Sequence, residues 1–142
     1  MARRENSDYL FVYGTLRRPG SDAAHRALRR HATIVGTAYL RGSLFDLGPY
    51  PGAVPGAAER SHVKGDLYRM QDRRALLPEL DAYEGCGSQE PAPSEFKREI
   101  VSVAWDKENV VRAWADLYTR PPKGLARIES GDYLDFIKQR KG

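Results

Sequence analysis

Three observations predict an α+β fold whose sheet could close into a small barrel. Five or six short runs rich in branched and aromatic residues read as strands, three or so segments carry helical spacing, and no repeat or linker divides the 142 residues into two domains. Composition agrees: with 41% hydrophobic and 30% charged residues, the chain has apolar surface for one sizeable core and lacks the imbalance of a disordered segment.

The first strand is expected at Tyr9 to Tyr13, where an aromatic and branched run stops at Gly14. After the loop Gly14 to Gly20, Ser21 or Asp22 can cap a helix whose positions Ala24, Ala27, Leu28 and His31 share one face, leaving Arg26, Arg29 and Arg30 elsewhere. Apolar alternation over Ile34 to Leu40 and Ser43 to Leu47, around Arg41-Gly42, fits either two strands with a tight turn or one strand with a bulge. Gly48-Pro-Tyr-Pro-Gly52, with Pro55 and Gly56, reads as an ordered loop because so many of its backbone positions are fixed or permissive. Val63 to Met70 alternates again, with Val63, Gly65 and Leu67 on one side. Asp72 can cap a short helix through Leu77. Pro78 is then expected to open a second one, Glu79 to Glu84, ended by Gly85. Residues 86 to 95 read as a loop of functional length, Phe96 to Trp105 and Val110 to Tyr118 as a hairpin, and Gly131 to Gln139 as a helix with Tyr133, Phe136 and Ile137 on one face.

Charge and cysteine content exclude several classes. Lysine plus arginine outnumber aspartate plus glutamate by 23 to 19, a net +4 that comes from 17 arginines. Acidic residues are interspersed through most of the chain, so a solvated arginine-rich surface is expected rather than a nucleic-acid footprint. The single cysteine, Cys86, can form neither an internal disulfide nor a multi-cysteine metal site, which fits a reducing cytoplasm. The run Tyr9 to Tyr13 is too short for a signal peptide's apolar core, and no stretch approaches a membrane span, so neither secretion nor membrane insertion is expected. Phosphate-loop, nucleophile-elbow and His-Glu-x-x-His motifs are absent, and His25, His31 and His62 lack metal-ligand spacing; no metal or cofactor is assigned.

Two local features carry chemistry. At Tyr13-Gly14-Thr15-Leu16 a buried strand ends at a glycine, where consecutive amides could hold an anion or an oxyanion; the ordinary alternative, favoured by local turn chemistry, is a plain strand-to-loop turn. At Leu80-Asp81-Ala-Tyr83-Glu84-Gly85, Glu84 ends a helix with Asp81 one turn earlier. The negative helix end and the second carboxylate both disfavour its charge, predicting an upward pKa shift suited to proton transfer near neutral pH. The alternative is a solvated glutamate at a helix end. Cys86 has no evident basic partner and is treated as a bystander.

These segments together resemble the gamma-glutamylcyclotransferase-like family, whose members share a Tyr-Gly-Ser/Thr-Leu loop and a Leu-Asp-x-x-Glu-Gly segment, both present here in order. Further matches are Leu44 to Pro51, Gly65-Asp66-Leu67-Tyr68, Phe96-Lys97-Arg98, Ala115-Asp116-Leu117-Tyr118 and Ser130-Gly131-Asp132-Tyr133, so the resemblance spans about residues 9 to 137. It implies a small mixed-strand β-barrel with flanking helices, Glu84 as the catalytic acid/base, and Tyr13, Gly14, Thr15 and Leu16 as the ligand-holding loop. The implied reaction releases 5-oxoproline from a gamma-glutamyl amine or peptide without a cofactor. Whether the loop holds the oxyanion or the substrate's α-carboxylate stays open. Phe96 stands where many relatives have tyrosine, which argues against a hydroxyl contact there. Tyr118 and Tyr50 could line the pocket or simply seal a barrel mouth. Arg17 and Arg18 could attract an anionic substrate or be solvated. Two other classes compete: a small-molecule-binding protein that kept the barrel without turnover, against which an intact Glu84 argues, and a nucleic-acid partner using Arg26, Arg29 and Arg30.

Overall fold

The computed structural model describes residues 7–17, 23–48, 50–56, 60–84, 96–106 and 109–141. In chain order these form β1 (Tyr9–Val12), a single 3-10 turn (Thr15–Arg17), α1 (Ala23–His31), β2 (Ala32–Asp46), β3 (Pro51–Pro55), β4 (His62–Met70), α2 (Arg73–Glu84), β5 (Phe96–Ala104), β6 (Val110–Tyr118), β7 (Ala126–Arg127) and α3 (Tyr133–Lys141).

Five strands close on themselves. β1 pairs antiparallel with β4, β4 with β2, and β2 with β3, and the ring is completed by parallel bridges from β3 to β6 (Ala53 to Leu117) and from β6 to β1 (Trp114 to Leu10). β5 pairs along the length of β6 and touches β2 at Tyr39 and Ala104, while β7 pairs with the end of β2. The α+β barrel with flanking helices expected from the sequence is therefore present.

β1 is buried on both faces, which is why it reads as an unbroken apolar run rather than an alternating one. Phe11 and Tyr13 join Leu40, Leu44, Val63 and Leu67 in the barrel interior. Leu10 and Val12 face outward beneath α1 and α2, where they meet Ala27, Leu28, Leu76 and Leu80. Arg26, Arg29 and Arg30 lie on the exposed side of α1, and Arg30 pairs with Glu79 at 2.9 Å. The hairpin β5–β6 is as expected, closed by Trp105 N–H to Asn109 O at 3.0 Å. Ser21, Asp22 and the loop 86–95 lie outside the described residues. Among the described residues, no helix is long and apolar enough to cross a membrane.

Three expectations are corrected. Residues 32–46 form one strand, and its register shift falls between Ile34 and Gly36 rather than at Arg41-Gly42. The latter is where β2 leaves β4 and takes up β3. The proline-rich segment read as loop contains β3. Leu47 N–H bonds Tyr50 O and Gly56 N–H bonds Arg41 O, so in this register the amide positions of residues 51, 53 and 55 point away from β2. Pro51 and Pro55 thus sit where the ladder needs no donor.

Finally, α2 is one helix with Pro78 inside it, not two. Its start is capped as expected, Asp72 Oδ1 accepting from Ala75 N–H at 3.3 Å. Leu76 and Leu80 on either side of Pro78 are both buried in the same cluster, and Pro78 itself is exposed. Burial of two leucines, worth about 1.5–3 kcal/mol each, offsets a proline penalty of about 3 kcal/mol.

Candidate active site

The ladder between β1 and β4 ends at Val12 and Asp66, and Tyr13 carries the chain beyond it. The Tyr13 ring turns into the core and is 6% exposed. Its hydroxyl donates to the Asp116 carbonyl and accepts from Ala53 N–H at 3.2 Å. One oxygen thereby joins the end of β1 to β6 and β3, the strands whose parallel contacts close the ring. Tyr13 thus reaches the strand end as expected, but its hydroxyl is occupied by the barrel wall.

Gly14 follows, and the turn Thr15–Arg17 closes with Arg17 N–H to Gly14 O at 3.0 Å. The first amides of such a turn have no partner within it. Gly14 lies beside β3: a Cβ built on it would be 3.4 Å from Pro51 Cγ and Cδ. At the next residue of β3, a Cβ on Gly52 would come within 3.0 Å of Tyr118 Cβ. Absence of a side chain there is what lets Tyr118 lie against the β3 backbone.

Tyr118 is edge-on to Phe96 with ring centroids 5.8 Å apart, and Phe96 is edge-on to Tyr50 at 5.7 Å. Phe96 therefore serves as the middle member of an aromatic row, a position that requires no hydroxyl. Tyr118 and Tyr50 both belong to this row beside the strand end. Asp116, whose carbonyl receives Tyr13, points its carboxylate away from the barrel interior, where Arg98 Nε lies at 2.9 Å.

The helical partner approaches from the other side of β1. Leu16 packs against the cluster that contains Val12 and Leu80. Glu84 is the last residue of α2, one turn beyond Leu80. The side chains of Asp81, Tyr83, Glu84 and Thr15 lie outside the described residues, as do Gly85 and Cys86.

Arg17 is neither a free lure for anions nor solvated. Its side chain is 6% exposed, with Nη1 donating to Asp132 Oδ1 at 3.1 Å and to Lys64 O at 3.3 Å, and with Nε 3.6 Å from Asp66 Oδ1. Lys64 Nζ completes the group 3.7 Å from Asp132. The two carboxylates titrate in opposite directions. Burial pushes Asp66 up despite the pull of Arg17 and Lys64. Partial burial also pushes Asp132 upward, but the Asp135 amide, Arg17 and Lys64 outweigh it and hold Asp132 below the usual value. Sequence reasoning missed this group because Arg17 and Asp132 lie 115 residues apart.

An open groove of about 660 Å³ adjoins this group through Lys64 and Asp132, on the outer face of β2 and β4, and is lined also by Tyr39, His62, Ala104, Ser130 and Asp135. Among the described residues, Tyr13, Gly14, Leu16 and Tyr118 do not line it. Among the described residues, no cluster of His, Cys, Asp and Glu could hold a metal ion.

Comparison with known proteins points one way. Residues 10–135 match the sequence profile of the family described as "Gamma-glutamyl cyclotransferase, AIG2-like". The chain is 35% identical over 130 residues to the gamma-glutamylcyclotransferase family protein YtfP of Escherichia coli K12, covering 91% of this chain and 98% of that one. The solution structure of Escherichia coli YtfP superposes with a TM-score of 0.61 at 34% identity, over 91% of this chain and 98% of that one. The crystal structure of a mouse AIG2-like protein superposes at 0.62 with 25% identity, over 89% and 88% of the two chains.

Proposed function

Because the chain belongs to the AIG2-like gamma-glutamyl cyclotransferase family, we propose that it releases 5-oxoproline from a gamma-glutamyl amine or peptide, with Glu84 as general acid/base. The observation that supports this reading is that Leu16, from the turn after β1, packs against the same apolar cluster that contains Leu80, one turn before Glu84. The turn read as the anion holder and the helix that Glu84 ends thus share one apolar cluster.

In this reaction the substrate's α-amino nitrogen attacks its own γ-carbonyl carbon. A C–N bond forms, closing a five-membered lactam, and the original amide C–N bond breaks. Attack within one molecule lowers the entropic part of the barrier, worth up to about 7–11 kcal/mol for well-aligned groups, provided the glutamyl chain is held folded. The amine, with a pKa of about 8, is mostly protonated at neutral pH, so a base must take its proton. Glu84 takes it and then returns a proton to the departing nitrogen. Amides of Gly14, Thr15 and Leu16 stabilise either the oxyanion or the α-carboxylate, and Tyr118 walls the pocket. No cofactor enters any step, and a cytoplasmic setting belongs to the same proposal.

The test is 5-oxoproline release from a panel of gamma-glutamyl amines and peptides, comparing wild type with Glu84→Gln, which keeps the shape and removes the titrating group. Turnover in wild type and its loss, on the order of a hundredfold or more, in the variant is the expected result. Undiminished turnover by the variant would remove Glu84 from the mechanism. Binding of the panel by wild type without turnover would favour a non-catalytic binding protein on the same barrel.

A further inference from the structure

We propose that Arg17 is a positioning residue, whose guanidinium holds the amides of Gly14 to Leu16 in a fixed orientation by tying their turn to the outer face of β4 and to the cap of α3. The inference rests on the reading of that turn as the site's anion holder.

The turn has little to fix it by itself. It spans three residues and closes with one backbone hydrogen bond, from Arg17 N–H to Gly14 O. On its N-terminal side Tyr13 is fastened to β3 and β6. On its C-terminal side the fastening is the Arg17 side chain, which reaches Lys64 O and Asp66 on β4 and Asp132 before α3. Those anchors are themselves held. Asp132 Oδ1 caps α3 by accepting from Asp135 N–H at 3.2 Å, and Lys64 N–H bonds Gly131 O at 2.8 Å.

The chemistry of the group favours a geometric role over a stabilising one. Two carboxylates, Asp66 and Asp132, face two cations, Arg17 and Lys64, so charge is balanced. Yet buried ion pairs are commonly no better for stability than apolar replacements of the same size. What a guanidinium supplies and an apolar chain does not is direction: Nη1 donates to a carbonyl and a carboxylate at once, while Nε lies 3.6 Å from a second carboxylate. An oxyanion or carboxylate held by amides is sensitive to that direction, since a displacement of about 1 Å at a site can cost about a hundredfold in rate.

The experiment compares wild type with Arg17→Met, Arg17→Lys and Asp132→Asn, the last retaining a capping side chain while removing charge. Hydrogen exchange of the residue-17 amide is measured together with kcat and KM for 5-oxoproline release. The expected result for Arg17→Met is exchange of the residue-17 amide, which bonds Gly14 O, faster by roughly tenfold while β4 and β6 stay protected. A fall in kcat/KM on the order of tenfold to a hundredfold should accompany it, partly restored in Arg17→Lys. If Arg17→Met does not fold, Asp132→Asn should show the same pattern more weakly. A folded variant with unchanged exchange of the residue-17 amide, or with kcat/KM within about twofold of wild type, overturns the proposal. Wild type that releases no 5-oxoproline would instead sink the reading of the site, and the exchange comparison would still decide whether Arg17 holds the turn.

Discussion

Replacing Tyr13 by phenylalanine removes one oxygen atom and two hydrogen bonds that join three strands. The ring stays buried, so the change isolates the hydroxyl. Ala53, fully buried, loses the acceptor for its N–H at 3.2 Å, and the Asp116 carbonyl loses a donor. Stranding a buried amide costs about 1–3 kcal/mol, and the second bond about 0.5–1.5 kcal/mol more, so a loss of about 2–4 kcal/mol is expected. With a urea slope of about 1–3 kcal/mol per molar, the unfolding midpoint should fall by roughly 1–2 M with the slope unchanged. The assay is urea unfolding followed by tryptophan fluorescence, with KM for a gamma-glutamyl substrate measured on the same preparation. A stability change under about 0.5 kcal/mol would refute the assignment of the hydroxyl to barrel closure. Should KM rise sharply at the same time, the hydroxyl would belong to the ligand instead.

Two further perturbations separate steric from conformational effects and read the buried charges. Gly131 has φ of 69°, and a Cβ there would collide with His62 O, whereas Gly124 has φ of 83° with nothing within 4 Å. Gly124→Ala should therefore cost only the backbone strain, about 1–2 kcal/mol, and Gly131→Ala distinctly more, above about 3 kcal/mol; thermal unfolding that reversed this order would contradict the packing. For pH, the lowered pKa of Asp132 means that its contribution to stability is present above the unfolded value of 3.8 and is lost as pH falls below it through the folded value. The raised pKa of Asp66 acts oppositely, favouring the folded state below 3.8 and losing that contribution as pH rises through the folded value. Urea titrations across this range should show Asp132→Asn flattening the acid limb and Asp66→Asn flattening the slope just above it. An unchanged profile in both would rule out the network as the source.

Much of the molecule was legible as sequence because its signals are local. Alternation at β4, the unbroken run of β1 and the paired runs of β5 and β6 each express a period within about nine residues. The strand end at Gly14 and the helix cap at Asp72 follow from turn and capping chemistry in the same way. These local rules, with the ordered family motifs, were enough for the barrel, for the turn at 13–16 and for the helix that Glu84 ends.

Tertiary contact decided the rest. β3 is a strand because β2 and β6 lie on its two sides and demand no donor from Pro51 or Pro55, information that the segment's own residues do not contain. α2 runs through Pro78 because Leu76 and Leu80 find one shared surface beyond the helix. Arg17 becomes a buried clamp only once ring closure brings it to Asp66 and Asp132, the latter 115 residues away. Periodicity and capping act within a few turns of chain, whereas the partner of a buried charge is set by which distant strands the closed ring makes neighbours.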